Sequence, residues 1–216
     1  MDPLLLIAKG AYVAEVIEVC RAQGKYDPKG ILNDSFPNCP THVLGVPVLG
    51  TTAKLEEMKA AGYERVHLAF WAWGSGLVRS KLYEKVLDMG FLTPRLIHPS
   101  AYVAPSASIG RGTCLMPRAM VGTEALIGEN AILNLGSLVE HNAYLGNHVH
   151  VASGAIIGGN VRVGNDALVG MGANVLPKLK LGNYAKVGAG AVVTHDVRPG
   201  ATVVGVPARE VDEDDE

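Results

Sequence analysis

From residue 97 to residue 193 every sixth position is Ile, Leu or Val: 97, 103, 109, 115, 121, 127, 133, 139, 145, 151, 157, 163, 169, 175, 181, 187 and 193. A six-residue period matches neither the 3.6 residues of a helical turn nor the plain alternation of a half-buried strand, so each unit must be a short strand plus a corner. Two residues before the aliphatic the side chain is usually small, as at Ala101, Ala107, Thr113, Ala119, Ala125, Ala131, Ser137, Ala143, Ala155, Ala167, Ala173, Ala185 and Ala191, with Val149, Val161 and Leu179 larger. These two positions face one side of a strand. Glycine follows the aliphatic at 110, 122, 128, 146, 158, 164, 170, 182 and 188, which suits a corner whose backbone needs an unusual conformation. Three corners per eighteen residues close a triangular coil, and coils stacked at about 4.8 Å pair each strand with those above and below. The repeat predicts a parallel β-helix.

The preceding stretch changes period. Residues 4–7 form a buried-type strand, and Val13, Val16, Ile17 and Cys20 then follow at i, i+3, i+4 and i+7, one face of a helix ending near Gly24. Further strands are predicted over 30–32, 46–49 and 66–70, and helices over 55–61 and 77–89 with Gly90 as the stop. This alternation implies a small doubly wound, Rossmann-like α/β sheet, in which ligands sit at the carboxyl ends of the strands. The expected organisation is an α/β domain over 1–95, a β-helix over 96–209 and an acidic tail over 210–216.

Composition narrows the function classes. With 19 Lys and Arg against 21 Asp and Glu, a net charge near zero argues against a nucleic-acid partner. No apolar run approaches the ~20 residues of a membrane span, and the Leu4 to Ile7 run is too short for a signal-peptide core. A cytoplasmic location is expected. Cys20, Cys39 and Cys114 are odd in number and lack metal-type spacing, so reduced thiols in packing or surface positions are expected.

With the hexads and the Gly205-Val206-Pro207-Ala208-Arg209 exit in view, the chain resembles the hexapeptide-repeat acyltransferases, whose β-helix is left-handed. An α/β unit of this size before the repeat resembles, more narrowly, the N-acetyltransferases that modify nucleotide-linked 4-amino-4,6-dideoxy sugars, such as those of bacillosamine and N-acetylperosamine formation, and the related sialic-acid O-acetyltransferases. The resemblance implies an amino-terminal sheet that holds the nucleotide sugar, a β-helix that carries acetyl-CoA, and a homotrimer with active sites between subunits. It implies no metal cofactor.

At the α/β domain the family has a glycine-rich turn with a His after the first strand, whereas this chain reads Ala8-Lys9-Gly10-Ala11-Tyr12. Lys9, Gly10, Ala11 and Tyr12 are the matching candidates, with backbone amides at a helix start and the Lys9 charge available to a diphosphate. Asn33-Asp34 resembles the acidic pair that faces base or ribose; an Asx turn closing the strand is the other reading. Trp71 and Trp73 fall where the family has a loop near the substrate, and either stacking on a base or covering the sheet edge accounts for them.

The chemical centre is Glu140-His141-Asn142. The register places His141 at a corner, pointing outward, and the resemblance makes it the general base. A sugar amine that attacks a thioester acquires positive charge and must lose a proton, and an imidazole is suited to take it near neutral pH. The family has an acid directly after this His; here Asn142 stands there, which can orient the ring through a hydrogen bond but cannot stabilise imidazolium as a carboxylate would, and Glu140 and Asn134 are the other orienting candidates, the latter matching a family asparagine one hexad earlier. For Asn134 a tolerated left-handed corner is an equal reading. His150 matches a family histidine close to the acetyl group, with polarisation of the thioester carbonyl as its implied role. The Gly159 N–H is a second candidate donor.

By resemblance the coenzyme groove runs past Gly159, Met171, Gly172, Ala189 and Gly190 to Pro207 and Arg209, with Arg209 or Lys186 meeting phosphates. None of the three cysteines matches a family nucleophile, so direct attack without a covalent enzyme intermediate is implied. Three rivals stand beside N-acetylation: O-acetylation of a sialic acid, a metal-dependent carbonic anhydrase on the same helix, and a non-catalytic nucleotide-sugar-binding protein. The spacing of His141, His148 and His150 does not resemble the ligand pattern of the carbonic anhydrases.

Overall fold

In the computed structural model, which describes residues 1–71 and 76–211, the chain forms two compact units, Met1–His98 and from Pro99 onward. Trp73, Gly74 and Ser75 lie outside the described residues, as does the acidic run from Asp212.

The first unit is built on β1 (Asp2–Ala8). Its Leu4-Leu5-Leu6-Ile7 run is buried throughout, as a strand covered on both faces requires. Helix α1 (Tyr12–Gln23) buries Val13, Val16, Ile17 and Cys20 on the predicted face and ends at Gly24, whose left-handed φ of 69° lets its N–H reach the Cys20 carbonyl. Strand β2 (Tyr26–Asn33) pairs in parallel with β1 and starts four residues before the predicted 30, because Pro28 and the charges of Asp27 and Lys29 hide that half from an apolar reading. A short antiparallel pair follows, β3 (His42–Val43) with β4 (Val46–Gly50), of which only the second strand was expected. Then come α2 (Leu55–Ala60), β5 (Val66–Ala69) and α3 (Gly76–Asp88).

The sheet order is β3-β4-β2-β1-β5. The chain leaves β1 to one side through β2 and β4 and then returns to its other side as β5, which is a doubly wound topology. Leu5, Ile7 and Leu32 on the sheet pack with Leu55, Met58, Tyr83, Val86 and Phe91 in one core.

The second unit is a left-handed parallel β-helix. Each hexad contributes a two-residue strand that ends on the predicted aliphatic, and every strand pairs with the one eighteen residues away. Three faces result. The first stacks Tyr102–Val103, Met120–Val121, Leu138–Val139, Ile156–Ile157, Asn174–Val175 and Val192–Val193; the second runs from Ser108–Ile109 through Tyr144–Leu145 to Lys180–Leu181; the third contains Cys114–Leu115, Ile132–Leu133, His150–Val151, Leu168–Val169 and Lys186–Val187. From Ile109 to Val193 each inward aliphatic is buried, and Val103 in the first coil is half-buried.

The corners do not work as the glycine pattern suggested. Left-handed backbone falls three residues past the aliphatic, at Gly136, Gly154, Gly172 and Gly190 but also at Arg118, Glu124, Asn130, Asn142, His148, Asn160, Asp166, Lys178 and Tyr184. The glycines directly after the aliphatic have ordinary φ. They are needed for space, since a Cβ at Gly122 would stand 2.9 Å from the Glu140 carbonyl carbon and one at Gly170 would stand 2.6 Å from the Ala189 nitrogen of the next coil. A side-chain ladder adds to the backbone rungs: Asn147, Asn165 and Asn183 each accept the N–H of the residue eighteen positions earlier, at 2.8–2.9 Å.

The exit from the helix also differs from expectation. Arg209–Val211 turns back as an antiparallel strand on Thr202–Val204, and Glu210 pairs with Arg198. Ladder bonds and an ion pair thus hold Glu210 and Val211, the first two residues of the expected 210–216 acidic tail.

Candidate active site

His141 lies at the edge where the first face passes into the second, between Leu138–Val139 and Tyr144–Leu145, and its side chain is exposed. Its carbonyl accepts the Asn160 N–H, so the corner is pinned to the next coil. The imidazole Nδ1 meets Asn142 Oδ1 at 3.0 Å. An amide oxygen only accepts, which makes Nδ1 the protonated nitrogen and leaves Nε2 with a lone pair. That nitrogen stands over Gly159, where an added Cβ would lie 2.6 Å from it. Glycine at 159 therefore keeps the ring's place open.

Two of the three orienting candidates, Glu140 and Asn134, are engaged elsewhere. Glu140 turns its carboxylate to the next coil and accepts the Gly159 N–H at 2.7 Å. Asn134 is buried and accepts the neighbouring Leu135 N–H at 2.8 Å, so it closes its own corner. Nor does it adopt the left-handed backbone of the other reading, for its φ is not positive. The Glu140 bond also corrects the role expected of Gly159, since an N–H donating to a carboxylate is not aimed at a developing oxyanion. Asn142 itself is the orienting partner, and its Nδ2 donates to Glu124 Oε2 at 2.5 Å. Glu124 was not foreseen. Its signal was available in the repeat, as it precedes Asn142 by one full coil of eighteen residues.

His150 does not join this cluster within one chain. It sits on the third face, opposite the edge that carries His141, stacked between Ile132 and Leu168. Both ring nitrogens are withdrawn from solvent, so in the single chain neither is presented to a thioester. Of the groove candidates, Gly159 shares the His141 edge, while Met171, Gly172, Ala189 and Gly190 share the next edge, between the third and first faces. The first face, with Leu138, Ile156, Asn174 and Val192 pointing outward, lies between them. Pro207 lies in the turn before the returning exit strand and Arg209 begins that strand, where Ala208, Arg209, His195, Asp196 and Arg198 line a cavity of about 260 Å³. Lys186 lies on the third face with His150.

In the first unit a cavity of about 470 Å³ opens at the carboxyl ends of β1 and β2, lined by Gly10, Ala11, Ile31 and Asn33, and also by Ser35, Asn38 and Cys39. The last three went unnoticed because the sequence signals stopped at the strand end. Cys20 and Cys114 are buried, so Cys39 is the thiol within reach of solvent. Gly10 has a left-handed φ of 78° that lets the chain turn sharply into α1. Lys9 is exposed beside this turn. Asn33 forms the Asx turn, accepting the Ser35 N–H at 2.9 Å, and Asp34 ties the β2 end to Thr52 by two bonds of 2.8 Å. Tyr12, the first residue of α1, and Trp71, which follows β5, pack against each other with ring centroids 5.0 Å apart.

Residues 3–86 match the PglD N-terminal domain family, and residues 160–195 match the bacterial transferase hexapeptide family of six repeats. PerB from Caulobacter crescentus, solved in complex with CoA and GDP-perosamine, superposes with a TM-score of 0.90 at 34% identity, covering 98% of each chain. The chain belongs to the hexapeptide-repeat nucleotide-sugar N-acetyltransferases. The acetyltransferase domain of PglB from Neisseria gonorrhoeae FA1090, in complex with acetyl coenzyme A, gives a TM-score of 0.88 at 32% identity over 97% of this chain and 99% of that one. WeeI from Acinetobacter baumannii AYE gives 0.85 at 28% identity over 98% and 100%. No curated protein sequence matches significantly. Among the described residues no three His, Cys, Asp or Glu side chains are grouped to hold a metal ion, and no helix is long and apolar enough to cross a membrane.

Proposed function

We propose that this acetyltransferase moves acetyl from acetyl-CoA to the 4-amino group of a nucleotide-linked 4-amino-4,6-dideoxy sugar, with His141 as general base. The observation that carries the reading is the His141 geometry: an exposed imidazole whose Nδ1 is committed to Asn142 and whose Nε2 is left as a proton acceptor. The sugar nitrogen attacks the thioester carbonyl, forming the C–N bond, and Nε2 takes the proton that the nitrogen releases. The C–S bond then breaks and the thiolate of CoA leaves, taking up that proton.

The nucleotide is assigned to the 470 Å³ cavity, where the Gly10 turn offers backbone amides to a diphosphate. CoA is assigned to the first face, between the edges of Gly159 and Met171, against a neighbouring subunit of a cytoplasmic homotrimer. The Caulobacter enzyme supports the parts assigned, since two variants with one histidine replaced are found in complex with CoA and GDP-perosamine. That protein is found with CoA and GDP-perosamine bound while the histidine is replaced.

The test is His141→Asn with CoA release followed against GDP- and UDP-linked 4-amino sugars. The expected outcome is a loss of ~10²–10⁴ in kcat with binding of both substrates kept. Near-normal turnover would remove His141 as the base, and turnover of a sialic acid in place of the amino sugars would move the acceptor to a hydroxyl.

A further inference from the structure

We infer that Glu124 is a positioning residue of the active site, fixing the tautomer of His141 through Asn142; the inference rests on the reading of His141 as the base. Glu124 and Asn142 occupy the same corner on successive coils, both with a left-handed φ of 56°, so their side chains leave the backbone in parallel, one rung apart. The Glu124 corner is anchored from below, its N–H donating to Ser106 Oγ at 3.1 Å, and the Asn142 N–H reaches back to the Thr123 carbonyl at 2.9 Å. In this setting Asn142 Nδ2 meets Glu124 Oε2 and Asn142 Oδ1 meets His141 Nδ1.

The directionality follows from donor and acceptor inventories. A carboxylate has no hydrogen to give, so Glu124 must face the NH2 end of the amide, and the amide oxygen must then face the imidazole. The oxygen in turn requires a hydrogen on Nδ1. Nε2 is left unprotonated, which a base requires. Without the carboxylate, Asn142 can turn over and present NH2 to Nδ1; that arrangement favours the opposite tautomer, with the hydrogen on Nε2 and no lone pair for the substrate. Asn142 alone has no preferred sense. The carboxylate that this family places directly after the histidine is thus replaced here by an amide with a carboxylate one coil behind it, and a negative charge remains in line with the imidazolium that forms during proton transfer.

Both side chains are exposed, so their hydrogen bond contributes little to folding, and kinetics and stability can be read apart. The experiment compares Glu124→Gln, Asn142→Asp and the double variant Glu124→Gln/Asn142→Asp with His141→Asn. Readouts are kcat and KM with GDP- and UDP-linked 4-amino sugars, thermal unfolding, and 15N NMR of histidine-labelled protein, in which the two ring nitrogens report the tautomer without any substrate. Glutamine can face Asn142 with either end, so Glu124→Gln is expected to lower kcat by ~10-fold to ~100-fold, with both KM values within about twofold and the melting temperature unchanged. Its His141 nitrogen shifts should lose the Nδ1–H pattern. Asn142→Asp alone sets two carboxylates against each other, whereas the double variant restores one carboxylate, backed by an amide donor, and should recover most of kcat.

Unchanged kcat together with unchanged nitrogen shifts in Glu124→Gln would overturn the inference. If His141→Asn itself keeps turnover, the parent reading fails, and the nitrogen shifts still decide whether Glu124 sets the tautomer.

Discussion

At the scale of single residues the His141 corner is a matter of space as much as of chemistry. The His141 ring occupies the volume that a side chain at 159 would need, its Nε2 2.6 Å from where a Cβ would stand. The Gly159 backbone has no left-handed conformation to protect, and the atoms in the way are the end of an exposed side chain that can swing aside. Gly159→Ala is therefore expected to leave the melting temperature within a few degrees of the parent while lowering kcat by at least ~10-fold through a displaced ring, with a misplacement of ~1 Å sufficient for such losses. Steady-state kinetics beside a thermal melt checks both halves. His141 and Gly159 were both legible in the sequence. Their relation was not, because a ring lying across an α-carbon one coil away is set by corner geometry and leaves no trace in the residue pattern. The same applies to Asn134 and Glu140, whose identities suggested partners for His141 and whose hydrogen bonds go to Leu135 and Gly159.

At the scale of elements the β-helix separates two demands that glycine usually meets together. Positive φ falls three residues after each inward aliphatic from Ile109 to Val187, and several coils place Asn, Asp, His or even Lys and Tyr there, accepting some strain. Close approach is required directly after the aliphatic, where glycine recurs with ordinary φ. Gly170 illustrates the second demand, since a Cβ would meet the Ala189 nitrogen and the Gly188 carbonyl carbon at 2.6–2.7 Å. Backbone cannot step aside as a side chain can, so Gly170→Ala is expected to cost ~1–3 kcal/mol, read as a fall in the denaturation midpoint. The α/β elements were legible wherever a strand or a helix face was apolar. The first half of β2 and the β3 strand were not, because Asp27, Pro28, Lys29 and His42 enter the sheet by pairing with neighbours that no local signal announces.

At the scale of the whole molecule one buried histidine couples the first unit to pH. His67 on β5 is fully enclosed, with Nδ1 3.3 Å from the Pro94 carbonyl. Burial, with a smaller contribution from the Arg79 charge, pushes its pKa down to about 3 from 6.5, against the Pro94 bond, which acts the other way. Between those values the unfolded chain binds a proton that the folded chain refuses. The stabilising effect is therefore complete above about pH 6.5 and is lost as pH falls toward 3, by up to ~1.4 kcal/mol per pH unit. Unfolding measured across that window should show a steeper acid loss for the parent than for His67→Gln, and equal slopes would exclude His67 as the cause. By itself the sequence determined the β-helix, its register and the corner that carries His141, because a stacked prism needs a buried aliphatic at every rung and a six-residue period admits no other arrangement. Only the tertiary structure decided which side chains answer one another across a coil. It set Glu124 behind Asn142 and His141 above Gly159, since those contacts depend on the directions in which left-handed corners project their side chains.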